Sequence, residues 1–253
     1  MSDIVILLTC TINVKGMTFT ALTDVQVREK HYLEAIEYYF NRTKVKIVIV
    51  ENTGHDFSRS LDGKLLHSKR LEILSFNGNN FPKELGKGYG ELEAISYAMN
   101  NSKFISADTS IIKVTGRYKV SNIQTFIKDV STSSSDLCQF LYFKGHKAAF
   151  SGIFIASRFF LKNVLEKNHQ LMDDSKGVYF EHILARSIID YRFAGGNYKM
   201  LKSFPRLIGI SGTDNKQHPT NKLVFWLVRN FIYKALKTSY SILEIITLRF
   251  FYN

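Results

Sequence analysis

Residues 86–118, GKGYGELEAISYAMNNSKFISADTSIIKVTGRY, govern how the rest of the chain is read. Gly86, Gly88 and Gly90 alternate with Lys87 and Tyr89, a helical stretch follows, and an apolar strand then ends in Lys113-Val114-Thr115-Gly116-Arg117-Tyr118. Glycines at that density let backbone N–H groups converge on an anion, and Lys87 places a positive charge beside them. Lys113 and Arg117 add two more cations at the far end, where Gly116 allows close backbone approach. The pattern predicts half of a phosphate-binding site: a glycine turn at 86–90, a helix over about 91–99, and a strand from Ser110 to Val120. It contains no Gly-Lys-Ser/Thr of a Walker loop, and no Rossmann fingerprint precedes the first helix.

Working outward, Ile4 to Ile12 is an apolar, β-branched run that reads as a buried parallel strand ending in Thr9, Cys10, Thr11 and Asn13. Small polar residues at a strand's carboxyl end mark where α/β folds hold ligands. Thr23 or Asp24 caps a helix that turns Val27, Tyr32, Leu33, Ile36 and Tyr39 or Phe40 inward and ends near Asn41. Val45 to Val50 is the second strand, running into Glu51-Asn52-Thr53-Gly54, and Arg70 to Phe76 is the third. Downstream, Leu137–Phe143 and Ala148–Ala156 form a strand pair around Lys144-Gly145-His146, followed by helices over Arg158–Lys167 and Val178–Asp190 with Asp173 and Asp174 in the loop between. This alternation predicts an α/β domain over residues 1–215, a mostly parallel sheet covered by helices. There is no internal repeat.

The 253 residues are 45% hydrophobic and 13% aromatic, enough for a substantial core. Lys and Arg outnumber Asp and Glu by 34 to 22, a net charge of +12 that favours anionic partners. The basic residues are interspersed with acids, which argues against nucleic acid. Cys10 and Cys138 suggest neither a disulfide framework nor a thiolate metal site, and the seven histidines show no metal-ligand spacing. The amino-terminal MSDIVILLTCTI lacks the basic flank and cleavage region of a signal peptide, so a cytoplasmic location is expected.

The segment 216–253 differs in character. Arg229, Lys234, Lys237, Glu244 and Arg249 interrupt its apolar residues too often for a spanning helix. It fits a basic amphipathic helix at the inner face of a membrane, or helices that pack on the domain or on a second subunit.

The order of these motifs resembles the GT-A class of nucleotide-sugar glycosyltransferases, particularly the small bacterial enzymes that build capsule, O-antigen or other surface polysaccharides. IVIVENTGHD, with Glu51 and Asn52, is similar to the acidic turn that holds the nucleoside in that class; GKGYGELEAISYAMNNS is similar to the turn that opens its next helix. The resemblance covers roughly residues 3–200 and is one of layout more than of diagnostic letters. It implies a GT-A-like, Rossmann-type sheet and transfer of a sugar from a nucleotide-sugar donor, bound as substrate, to a lipid-linked or growing glycan. Thr9, Thr11, Glu51 and Asn52 are then expected around the nucleoside, and Lys87, Gly88, Lys113, Gly116 and Arg117 around the diphosphate. Ser151 and Gly152 resemble the strand that meets donor sugar and acceptor. Glu181 is the expected general base and His182 the alternative, at a helix start. His146 and His218 are further candidates for phosphate contact.

One departure is informative. The class usually places a metal-binding Asp-x-Asp where this chain has Lys113-Val114-Thr115-Gly116-Arg117. A Lys/Arg pair can neutralise the leaving diphosphate directly, so no divalent metal is expected to be required; Asp108 is the one nearby acid that argues otherwise. A non-catalytic nucleotide- or glycan-binding module, and a nucleotidyltransferase or phosphatase on a related sheet, remain the alternatives.

Overall fold

The run Ile4-Val5-Ile6-Leu7-Leu8 has no polar residue to turn toward water, so both faces of its strand must be covered. In the computed structural model it forms β1 (Ile4–Cys10), inside a seven-stranded sheet. The structure describes residues 3–251 apart from 15, 18–19, 135 and 144–146, with backbone alone for 142–143 and 240–251. The expected Lys144-Gly145-His146 turn therefore lies outside the described residues.

In chain order the elements are β1, α1 (Val25–Arg42), β2 (Lys46–Glu51), a short α2 (Gly63–Leu66), β3 (Leu71–Ser75), α3 (Lys87–Asn101), β4 (Ser110–Thr115) and β5 (Lys119–Val120). They continue with α4 (Ile123–Ser131), β6 (Cys138–Phe140), β7 (Tyr142–Phe143), β8 (Ala148–Ala149), β9 (Ile153–Ser157), α5 (Arg158–Phe160), α6 (Phe180–Phe193), β10 (Tyr198–Met200), β11 (Leu207–Ile208) and α7 (Leu223–Phe251). The main sheet has the order β10-β6-β9-β4-β1-β2-β3. Its pairings are parallel except those that β9 makes with β4 and β6. The mostly parallel sheet flanked by helices, with a carboxyl-terminal helix, is thus present as expected.

Alternate residues of each strand feed two cores. Val5, Leu7, Val48 and Ile111 meet α3 and α6 on one face, while Ile6, Leu8, Ile47 and Ile112 meet α1 and α4 on the other. Asp24 is the cap of α1, its carboxylate accepting from the Val27 N–H at 2.9 Å. Val27 itself is exposed, and Arg28 takes the inward position instead because its guanidinium finds the Thr11 and Leu22 carbonyls.

Several boundaries depart from expectation. The strand expected to reach Val120 stops at Thr115, because the chain turns at Gly116 and β5 pairs with β11 in a separate ribbon. The expected strand pair splits: β6 and β9 join the main sheet, and only β7 and β8 form a ribbon. The helix expected over Arg158–Lys167 begins as α5 and then widens and tightens through Leu161–Leu171. α4, which carries Ile123, Phe126 and Val130 inward, had no counterpart in the sequence reading.

β1 lies between β2 and β4, so the winding of the chain reverses at the β1–β4 boundary. A crevice opens outside the carboxyl ends of strands at such a reversal.

Candidate active site

The crevice holds a cavity of about 230 Å³. Thr9, Cys10 and Thr11 enter it from the end of β1, Asn52 from the end of β2, and Thr115 and Arg117 from the end of β4. The first turns of α3 supply Lys87, Gly88 and Glu91, the β8–β9 connection supplies Ser151 and Gly152, and Asp174 and Glu181 complete the lining. Nine of the residues expected at the site from sequence are therefore assembled there: Thr9, Thr11, Asn52, Lys87, Gly88, Arg117, Ser151, Gly152 and Glu181.

Beneath the cavity floor a charge is already balanced. Lys113 projects from β4 into the α3 side of the core, where its Nζ donates to Glu91 Oε1 (2.5 Å), the Ser151 carbonyl (2.7 Å) and the Thr115 hydroxyl (3.2 Å). Its side chain is fully buried. Thr9 and Thr115, which face each other across the β1–β4 ladder, also donate to Glu91 Oε1, at 2.8 and 3.2 Å. Burial would raise the Glu91 carboxyl, but Lys113 and the two hydroxyls outweigh it and hold the group below its usual value. Lys113 thus has all three N–H groups committed and does not reach the crevice, a correction to the expected diphosphate contact.

Arg117 stands differently. It is 9% exposed, its Nη1 donates to the Ile210 carbonyl at 3.1 Å, and its Nε has no partner. Gly212 lies against the guanidinium so closely that a Cβ there would come within 2.4 Å of Nη2. Lys87, a second cation of the wall, bonds to the Thr213 hydroxyl. Burial lowers the Lys87 ammonium, against the pull of Glu181, Glu91 and Asp174. Arg28 is a third, which the sequence reading missed: it holds the Thr11 carbonyl through Nε and Nη2, at 2.9 and 2.5 Å, and packs on Tyr32. Its place was legible, since Arg28, Tyr32 and Ile36 repeat at helical spacing.

Two carboxylates face these cations. Glu181, in the first turn of α6, accepts a 2.6 Å hydrogen bond from the Ser151 hydroxyl. Asp174, expected as loop more than site, is buried in the wall beside Lys87 and Glu181. Burial pushes its carboxyl up to about 6, Lys87 opposes that, and Glu181 and Asp173 add to it. A carboxyl titrating there is suited to proton exchange near neutrality. Gly86 makes this placement possible: its φ is +84°, and a Cβ would come within 1.8 Å of Asp174 Oδ2.

The remaining expectations are corrected by position. Glu51 is fully buried, and its two oxygens accept from the N–H groups of Ile12, Thr53 and His55 and from the Thr53 hydroxyl. It fixes the loops around the crevice and has no free acceptor for a nucleoside. Gly116 packs on β1, where a Cβ would be 2.7 Å from both Cys10 Sγ and the Thr9 carbonyl, so its close approach is to backbone and not to a ligand. Gly88 and Gly90 are not a turn but the start of α3; at Gly88 a Cβ would meet Phe180 Cβ at 2.6 Å, so the glycine lets α6 close on α3. His182 accepts from the Tyr179 N–H at 3.2 Å through Nδ1, caps α6, and is not part of the wall. His218 shares a 2.7 Å contact with the Thr220 hydroxyl and lies against the Tyr118 and Phe150 rings without lining the cavity itself, and Asp108 is exposed before the opposite end of β4. His146 lies outside the described residues.

No family model matches the sequence, and no curated protein matches it. Solved structures with a similar course of chain include 4-diphosphocytidyl-2C-methyl-D-erythritol synthase, 10% identical, covering 90% of this chain and 97% of that one at a TM-score of 0.42. A putative nucleotide-diphospho-sugar transferase from Desulfovibrio desulfuricans G20 is 12% identical over 79% of this chain and 80% of its own, with a TM-score of 0.43. The galactosyltransferase LgtC, in complex with donor and acceptor sugar analogues, is 11% identical over 77% and 72%, at 0.42. At such identities and scores the chemistry of the crevice is read from its own residues.

Proposed function

We propose that this chain is a glycosyltransferase that moves a sugar from a nucleotide-sugar donor to a lipid-linked or growing polysaccharide acceptor. The observation that carries the reading is the meeting of cations and carboxylates in one cavity at the strand reversal. Arg117 and Lys87 form no ion pair among the described residues, and Glu181 and Asp174 line the same cavity. A buried guanidinium with an unpartnered Nε invites an anion, and a diphosphate matches both its charge and its bidentate geometry.

In the proposed reaction the acceptor hydroxyl forms a bond to the anomeric carbon as the bond from that carbon to the donor diphosphate breaks. The bonding pair leaves with the nucleoside diphosphate, whose charge Arg117 and Lys87 stabilise without a required divalent metal. The acceptor proton passes to Glu181, which Ser151 orients through its hydrogen bond. Asn52, Thr9 and Thr11 lie where the nucleoside would enter, at the ends of β1 and β2.

The test is product identity with the purified chain and a panel of nucleotide-sugars. Release of nucleoside diphosphate that persists in strong chelator is expected, and Glu181→Gln lowers turnover about 10²- to 10⁴-fold while leaving donor affinity in place. Pyrophosphate release would identify a nucleotidyltransferase instead. Donor binding with no turnover in wild type would identify a binding module.

A further inference from the structure

α7 is held to the domain along one stripe. Trp226 donates its indole N–H to the Phe204 carbonyl at 2.9 Å, and Asn230 Oδ1 accepts from the Phe204 N–H at 3.0 Å. Tyr233 donates to the Leu201 carbonyl at 2.8 Å, and Lys237 reaches the carbonyls of Met200 and Leu201 at 3.2 and 3.0 Å. Positions 226, 230, 233 and 237 follow helical spacing, so they share one face.

The other side of the helix is apolar and open. Val224 is 71% exposed, Phe231 74% and Leu236 62%, with Phe225 and Val228 more than half exposed beside them. A helix docked on a domain ordinarily turns polar residues outward, so a broad apolar face in that position has a partner. Charge identifies it. Between 222 and 239 the helix segment carries Lys222, Arg229, Lys234 and Lys237 and no acid. At about 100° per residue, Arg229 borders the apolar face on one edge and Lys234 on the other.

We propose that this face lies on an anionic lipid membrane, with the helix axis in the membrane plane and the Trp226–Lys237 stripe still seated on the domain. Anionic headgroups neutralise both cationic edges while the apolar residues between them enter the acyl boundary. A second copy of the same helix would instead set Arg229 and Lys234 against like charges. The proposal does not depend on the reaction assigned to the crevice.

The full chain tests it by co-sedimentation with vesicles of phosphatidylcholine alone and of phosphatidylcholine mixed with phosphatidylglycerol. Binding to the anionic vesicles is expected, weakening as salt is raised. Combining Val224→Asp with Phe231→Asp lowers partitioning about tenfold or more, and so does combining Arg229→Gln with Lys234→Gln. Both pairs lie off the docked stripe, so thermal transitions should match wild type. Trp226 is the sole tryptophan, and its emission stays unchanged on vesicle binding because it remains against Phe204. Three results overturn the proposal: a wild-type chain that stays in the supernatant, a blue shift of Trp226 on binding, or a lipid-free dimer that the Val224→Asp, Phe231→Asp variant dissociates.

Discussion

Lys113 and Arg117 belong to the same strand end, yet the fold assigns them to opposite sides of a boundary. Lys113 sits beneath the crevice with every N–H occupied and Glu91 as its counter-charge. Arg117, beyond the turn at Gly116, holds the Ile210 carbonyl, lies over Tyr32 and keeps an idle Nε. Residue type and spacing made them look like a matched pair for a diphosphate. What separates their roles is who has already paired with each: a cation whose partner is built into the core stabilises the floor, and one without an acid beside it is available to a ligand.

The widest test of that contrast is on stability. Lys113→Met leaves the Glu91 carboxylate in the floor without its cation, and the expected cost is about 3 to 5 kcal/mol in urea unfolding. Adding Glu91→Gln recovers much of the loss, since the orphaned charge is then gone. If Lys113→Met folds as well as wild type and loses only donor affinity, the two lysine and arginine roles are misassigned.

Arg117→Ala comes next in size. Removing the available cation is expected to lower kcat/KM about 10²- to 10³-fold, the loss typical of a group that stabilises charge developing in a transition state. Its unfolding midpoint should move less than that of Lys113→Met. Turnover that survives Arg117→Ala would place the leaving group elsewhere.

The sheet was largely legible because β1, β2 and β4 are apolar runs that only a covered parallel sheet can bury. Much of the wall was legible too, since Thr9, Asn52, Arg117 and Glu181 stand at strand ends or a helix start, where such folds expose polar groups. The partners were not. Glu91 lies on α3 and Lys113 on β4, and only tertiary packing joins them. A clue was present all the same: a lysine within Ile111-Ile112-Lys113-Val114 requires a buried carboxylate somewhere. The alternating glycines misled for a related reason. They satisfy the close packing of α3 on α6 and the room needed by Asp174, neither of which local sequence displays.

Glu51 extends the comparison to a carboxylate. If it serves only to collect the N–H groups of Ile12, Thr53 and His55, then Glu51→Gln sets an amide donor against donors. The expected cost is about 1.5 to 3 kcal/mol of stability, with donor affinity of the folded protein little changed. Calorimetric titration with nucleoside diphosphates on the folded fraction separates the outcomes: a selective loss of affinity at full stability would return Glu51 to the nucleoside site.

Asp174 gives the smallest effect and the most specific one, because its sign depends on pH. Its folded carboxyl titrates near 6, above the value of about 3.9 for an unfolded aspartate. Between those values the unfolded chain releases a proton that the folded chain retains, so ν in the unfolded state is lower and stability falls as pH rises. Below the window both states are protonated, and above it both are ionised, so the contribution levels off at either end. Asp174→Asn removes this dependence. Its melting temperature should match wild type near pH 4, exceed it by a few degrees at pH 7, and gain that difference mainly between pH 4 and pH 6. A difference that is constant with pH would mean that Asp174 is ionised throughout. The contrast between paired and available charge would then extend to Asp174 itself, paired with Lys87.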